Sequence, residues 1–456
     1  MKKLVLIKLC ALFLCQLQAQ DSLSLSSFLK SVREHHPLFE AAQLNVEIAA
    51  AKLRAARGNF DPKLQVYSSE KTFNGSDYYD HNLVQLKIPV YSGIEIKSGY
   101  ELNTGKYLNP EATTPAEGLM FTEISVPVLK NLLLNQGRAE MLIQQAHYTQ
   151  SQFEWQLAQN DLAYLISSAY WEYRAAFEQL QLYQEAVEVA ASRLSFVKRS
   201  YVLGKYAAID TVEAYMEWQR RMGILNENKA TYTYSSYALS NQFWRSDSLS
   251  RVGFIPSGQH ILPIDSVLAM ANRIKVYQHP AIRQIDQKIA ATHVDKNLQK
   301  QNILPELTLR YKPLTSGGES LQYSSENITW GATFQMPLLF RKEMGKYRAA
   351  EGKMDQLEFE RMFKIQSLSN DLRSYKEAIL YWKEAVVAQQ ENVEAAQLML
   401  NAEKRKLELG NATIFMVNYR ERYFLDSRVK LIKAQKEYSK AQSAFLNKLG
   451  VDIVGL

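Results

Sequence analysis

Residues 162–204 read LAYLISSAYWEYRAAFEQLQLYQEAVEVAASRLSFVKRSYVLG. Within them Leu162, Ile166, Ala169, Tyr173, Ala176, Leu180, Tyr183, Val187, Ala190, Leu194, Val197 and Tyr201 recur at alternating steps of four and three. Such spacing lines one stripe of an α-helix. A seven-residue repeat sustained this long keeps the stripe against a partner helix and winds a left-handed coiled coil. Gly204 then ends the helix, because the residue just past a C-terminus commonly takes the left-handed conformation that glycine adopts without a Cβ clash.

The same seam returns 206 residues later as Leu368, Leu372, Tyr375, Ile379, Trp382, Val386, Gln389, Val393, Ala396, Leu400, Glu403 and Leu407. Only Gln389 and Glu403 break its apolar character, and Leu409-Gly410 repeats Leu203-Gly204. Working outward gives long helices over 138–202 and 345–409, roughly 100 Å each at 1.5 Å per residue. Returning helices follow over 208–244 and 413–448, and shorter helices over 22–58 and 266–301 come before. His36-Pro37 and His279-Pro280 recur at an offset of 243, as do Pro62 and Pro305. The 37-residue difference between the two offsets falls in the first strand region, 63–128, which is longer than its counterpart at 306–337. The chain thus reads as two pseudo-symmetric repeats, 20–245 and 264–450, with a linker at 246–263 and a short tail at 451–456.

The strand regions alternate weakly over 64–71, 82–90, 94–103 and 119–128, and again over 327–334. Polar links at 74–81, 109–118 and 315–326 separate them. Alternation of this kind suits a membrane barrel, with Tyr67, Tyr91, Tyr100, Phe121, Tyr311, Trp330 and Phe334 available for interfacial girdles. It suits a soluble sheet with one wet face equally well. The first region holds more alternating stretches than one hairpin needs. Either a hairpin is added there, or two stretches join into one long strand pair.

The ends and totals narrow the classes. Lys2 and Lys3, the apolar stretch 4–14 and Leu17-Gln18-Ala19 form an export signal over 1–19. Both cysteines, Cys10 and Cys15, lie in it, so the mature chain is expected to have no disulfide, thiolate metal site or cysteine nucleophile. Losing Lys2, Lys3 and Lys8 brings the formal charge from +7 to +4, and the charges are interspersed, so no nucleic-acid partner is expected. No later stretch offers 18 consecutive apolar residues, which leaves a closed barrel as the only means of spanning a membrane. Catalytic glycine-serine, zinc-binding histidine and phosphate-loop motifs are all missing, and His35-His36 sits at a helix break, so an enzyme is not expected. A soluble periplasmic coiled-coil adaptor or scaffold is the competing class. It accounts for the heptads but not for two strand regions placed ahead of two long helices.

The doubled layout, the turn Tyr201-Val202-Leu203-Gly204-Lys205-Tyr206-Ala207-Ala208-Ile209-Asp210-Thr211-Val212-Glu213-Ala214, and Ile124-Ser125-Val126-Pro127-Val128-Leu129 ahead of a long helix resemble the TolC family of outer-membrane efflux proteins. The resemblance covers essentially the whole mature chain. It implies a mixed fold, a membrane β-barrel continued by a long α-helical coiled-coil barrel, closed as a homotrimer. Each protomer of that family gives four strands to a shared twelve-stranded barrel. It further implies a passive exit channel for efflux or type I secretion, without cofactors. The location would be the outer membrane of a Gram-negative bacterium, in outer-membrane lipid, with a periplasmic helical extension. The expected partners are a periplasmic adaptor (membrane fusion protein) and, through it, an inner-membrane pump. The helical tips would meet the adaptor through Leu203, Gly204, Lys205 and Asp210, and through Leu409, Gly410, Asn411 and Phe415. Members of the family often carry aspartate rings six and nine positions past the second glycine. Here Met416 and Tyr419 stand there with Asn418 between, so these three are expected to narrow the pore as a ring that cations block only weakly.

Overall fold

The computed structural model describes residues 22–244, 254–257, 263–273, 275–317 and 325–451. The expected leader, most of the linker and residues 452–456 of the tail lie outside them. In chain order the main elements are α1 (Leu25–His35), α2 (Pro37–Arg57), β1 (Lys63–Phe73), β2 (Ser76–Pro89), β3 (Glu95–Thr104), β4 (Leu119–Pro127), α3 (Gln136–Val202), α4 (Ala208–Ser240), α5 (Ile264–Arg273), α6 (Pro280–Asn302), β5 (Glu306–Ser316), β6 (Ile328–Gln335), α7 (Arg341–Glu408) and α8 (Ile414–Leu449). No helix among the described residues is long and apolar enough to cross a membrane.

The single helix expected over 22–58 is two helices, and so is the one expected over 266–301. Proline has no N–H and a fixed φ, so it starts a helix readily but cannot continue one. Pro37 and Pro280 therefore open α2 and α6. Each preceding histidine is extended and buried. The Nδ1 of His36 accepts the N–H of Leu38 at 3.2 Å, and its ring meets Phe39 and Trp244 edge-on. Both histidines serve the chain break.

Helices α3 and α7 follow the seam. Of its 24 positions only Tyr201, at the end of α3, is exposed; even Gln389 is half-buried and Glu403 buried. The chain divides into two compact units. One holds the described residues of Met1–Gln43, Gln156–His279 and Gln366–Leu456. Its largest core gathers Phe28, Tyr170, Trp171, Tyr173, Ile379 and Phe445. The Tyr170 hydroxyl donates to the carbonyls of Leu23 and Ser257, and that of Tyr173 to Phe254, pinning a short parallel pairing of Ser22–Leu23 with Ile255–Pro256.

The other unit, Leu44–Trp155 and Pro280–Ile365, contains one six-stranded sheet of order β1-β2-β3-β4-β5-β6. Every neighbouring pair is antiparallel. This resolves the alternatives for the first strand region. A hairpin is added, and the polar stretch expected to be a link over 74–81 is mostly strand. Only Asn74-Gly75 turns the chain there, with φ of 51° and 71° at its two residues. Positive φ at both positions is the two-residue turn whose twist matches paired strands. The link was misread because 76–82 is polar on both faces.

Candidate functional site

Exposed apolar side chains stand at the hairpin turns and on one face of the sheet. At the turns the sequence reading meets its geometry directly. Gly204 and Gly410 have φ of 74° and 76°. The N–H of Gly204 donates to Tyr201 at 2.8 Å and that of Lys205 to Ser200 at 2.9 Å. Gly410 and Asn411 donate to Leu407 and Lys406 at 3.0 and 2.8 Å. Both are Schellman ends, which satisfy the last carbonyls of each long helix. Asp210 Oδ2 reaches back to the N–H of Ala207 at 2.8 Å, closing the first turn of α4, and Thr413 accepts from Met416 to start α8.

The sequence-expected residues then separate. Leu203, Lys205, Leu409, Asn411 and Phe415 are exposed. Around them Val202 is 83% exposed and Ile209 72%. Leu194, Val197, Ala214 and Ile414 form a small core behind both turns. Tyr419 is exposed and Met416 half-buried. Asn418 needs a correction. It is buried, accepting from Arg193 at 2.6 Å and donating to Glu213 at 3.2 Å, so its amide is spent inside the protomer.

Beside Asn418 lies an ion network that the sequence did not reveal. Arg221 is fully buried, with Nε on Glu217 at 2.8 Å, Nη2 on Glu421 at 2.5 Å and Nη1 on the carbonyl of Ala186 at 2.9 Å. Arg193 also holds Glu421, at 2.6 Å. Arg220 and Arg422 hold Glu217 from its solvent side. Helices α3, α4 and α8 are thereby cross-linked. Burial alone pushes the Glu217 carboxyl up, but its arginines outweigh that and bring it down to about 2. Glu421 is likewise lowered, against its burial, by Arg193 and Arg221. The pair Glu217 and Arg221, four apart on α4, was the only visible signal. The positions 206 further on from Ala186, Glu217 and Arg221 are Asn392, Tyr423 and Ser427, and they too meet, but as neutral groups. The Tyr423 hydroxyl donates to Asn392 at 3.1 Å, and Asn392 to Ser427 at 3.2 Å.

The sheet register sorts the strand residues by face, since residues directly opposite on neighbouring strands point the same way. One row runs Ile88, Ile96, Ile124, Tyr311, Trp330. Another on that face runs Val66, Val84, Tyr100, Met120. Leu64, Leu86, Leu309 and Phe334 share the face, and all four are exposed. The opposite face carries Lys63, Lys87, Lys97, Glu123 in one row and Glu95, Ser125, Arg310 in the next. Three ion pairs lie on it: Lys87 with Glu95 at 2.5 Å, Lys97 with Glu123 at 3.0 Å and Lys312 with Glu101 at 3.4 Å. Leu83, Leu119, Phe121 and Leu314 are apolar residues on this face, and Phe121 is capped by the Lys312 ammonium 4.0 Å from its ring centre. A soluble sheet hides its apolar face against a core and wets the polar one. This sheet leaves the apolar face bare.

Residues 276–451 match the family model of the outer membrane efflux protein. No curated protein matches the chain by sequence. Among solved structures the chain is similar to the CmeC outer membrane channel of Campylobacter jejuni, at 14% identity over 93% of this chain and 85% of that one, with a TM-score of 0.67. It is also similar to the outer membrane protein VceC of Vibrio cholerae, at 14% identity over 93% and 96% with a TM-score of 0.65. A third likeness is the open state of the MtrE outer membrane channel of Neisseria gonorrhoeae, at 14% identity over 94% and 89% with a TM-score of 0.67. At this identity what is shared is the fold.

Proposed function

We propose, from the match of residues 276–451 to the outer membrane efflux protein model and from the shared fold, an outer-membrane exit channel of three identical protomers. The bare apolar face of the sheet carries this reading. In water those isoleucines, valines and aromatics would drive aggregation, whereas in lipid they are the outer band of a barrel and the charged face lines its lumen. The channel gives passive exit to cargo delivered by an inner-membrane pump through a periplasmic adaptor. Cell fractionation tests it. The protein should sediment with the outer membrane, need detergent for release and run as a heat-sensitive trimer on gels. Recovery as a soluble periplasmic monomer would sink the reading.

The exposed tips are the adaptor surface in this proposal, centred on Leu203 and Leu409 with Gly204, Lys205, Asp210, Gly410, Asn411 and Phe415 around them. Replacing Leu203 and Leu409 together by aspartate is expected to weaken adaptor capture by about tenfold or more, as loss of central apolar anchors does. Trimer yield should not change, since neither side chain is packed in the protomer. Wild-type trimer yield with undiminished capture by the variant would remove the tips from the interface.

Met416 and Tyr419 are proposed to narrow the closed end, without Asn418. A ring without carboxylates attracts cations weakly. Current through the purified channel in a planar bilayer should therefore respond little to added divalent or trivalent cations. Strong block that persists when Met416 and Tyr419 are both changed would overturn the assignment.

A further inference from the structure

The family resemblance implies four strands per protomer, and the large sheet of this protomer has six among the described residues. We propose that the closed barrel is built from eighteen strands, with β1 of each protomer paired to β6 of the next. The inference rests on the three-copy reading above and adds the strand count and the seam.

Three observations carry it. First, β1 and β6 are the two edges of the sheet, and they are exposed along nearly their whole length. Trp330 on β6 is 76% exposed and Leu64 on β1 71%. An edge with free N–H and C=O groups is untenable in lipid, where no water can satisfy it. Second, the direction fits. Strand direction alternates from β1 through β6, so β6 of one copy and β1 of another meet antiparallel, and the alternation continues unbroken around a ring. Third, the slant fits. The row that starts at Ile88, one residue beyond the partner of Lys63, arrives on β6 at Trp330, five residues before that strand ends at Gln335. That is a drift of about one residue per strand. With about 3.3 Å per residue along a strand and about 4.8 Å between strands, it corresponds to a tilt of roughly 35°, within the range that closed barrels adopt. The added hairpin therefore shares the slant of the other four strands as a continuous part of the wall. Barrel diameter grows about linearly with strand number, so eighteen strands enclose a mouth about half again as wide as twelve.

Cysteine cross-linking tests this in the intact trimer. In a chain carrying Cys10→Ser and Cys15→Ser, single cysteines at Gln65, Tyr67 or Ser69 on β1 are combined with single cysteines at Thr329, Gly331 or Thr333 on β6. All six face the proposed lumen. If the ends of β1 and β6 are level, Gln65 with Thr333 and Ser69 with Thr329 should oxidise to a covalent ring that stops at three copies. Single-cysteine chains should stay monomeric on denaturing gels. A second set pairs the same β6 positions with Lys97→Cys or Glu101→Cys on β3. Cross-linking there, with none to β1, would put the first hairpin outside the wall and overturn the proposal while keeping three copies. Rings of two or four through β1 and β6 would overturn the three-copy reading as well. Failure of every pair in both sets would also refute the seam.

Discussion

Replacing Arg221 by methionine is expected to destabilise the helical unit by about 3 kcal/mol. Removing one partner from a buried ion pair typically costs about 3–5 kcal/mol, because the remaining charge stays desolvated. The lower end applies, since Arg193 still holds Glu421 and Arg220 still holds Glu217. Thermal unfolding of the detergent-solubilised trimer, followed by circular dichroism, measures the loss. Adding Glu421→Gln to Arg221→Met should not restore it, because Arg193 then loses its carboxylate partner. An unchanged melting temperature in the single variant would show that the network is not a fastening. The acid limb follows from the same groups. A carboxyl whose folded pKa is depressed stabilises the fold above its unfolded pKa and loses that contribution as pH falls through its folded value. For Glu217 the window runs from the ordinary 4.5 down to about 2. Stability from this contact should thus be level at neutral pH, and its decline should begin only below about pH 4.5.

A second large effect is expected where two adjacent residues point to opposite faces of β2. Leu86→Arg puts a charge on the proposed lipid face, which costs about 2–4 kcal/mol near the bilayer midplane. Gln85→Arg puts the same charge on the proposed lumen face, beside Gln65 and next to the row that holds Lys87, Lys97 and Glu123. Assembled trimer in the outer-membrane fraction should fall sharply for the first and stay near wild type for the second. Equal tolerance of both would remove the lipid-facing assignment, and an exchange of the two results would invert it.

How far the sequence could be read depended on whether the deciding contacts are local. The coiled-coil seam and the glycine turns are encoded within a few residues of one another, so their placement follows from spacing alone. The helix breaks at Pro37 and Pro280 were nonetheless read as continuous stretches, since the flanking apolar residues keep a helical pattern on both sides. The sheet was ambiguous because the nature of a face depends on register across five strand pairs, and no single strand reports it. Ile88 and Trp330 are more than two hundred residues apart yet lie in one row. The Arg221 network was invisible for the same reason. It draws Arg193, Glu217 and Glu421 from three helices, and the equivalent positions of the second half are neutral. Asn418 was misassigned because a position on a helix does not say which neighbour claims its side chain. Arg193, 225 residues away, does so here.

The turn between β2 and β3, residues 90–94, has a consequence for how such proteins diversify. Both ends of a hairpin lie on the same side of the sheet, so a hairpin can enter the gene as one continuous piece without adding or displacing a helix. The 37-residue surplus of the first half has about the size of such a piece. Strand number in the sheet and helix number are then separately heritable. A lineage can widen the proposed barrel by a single insertion while the hairpin tips proposed as the adaptor surface stay under unchanged selection.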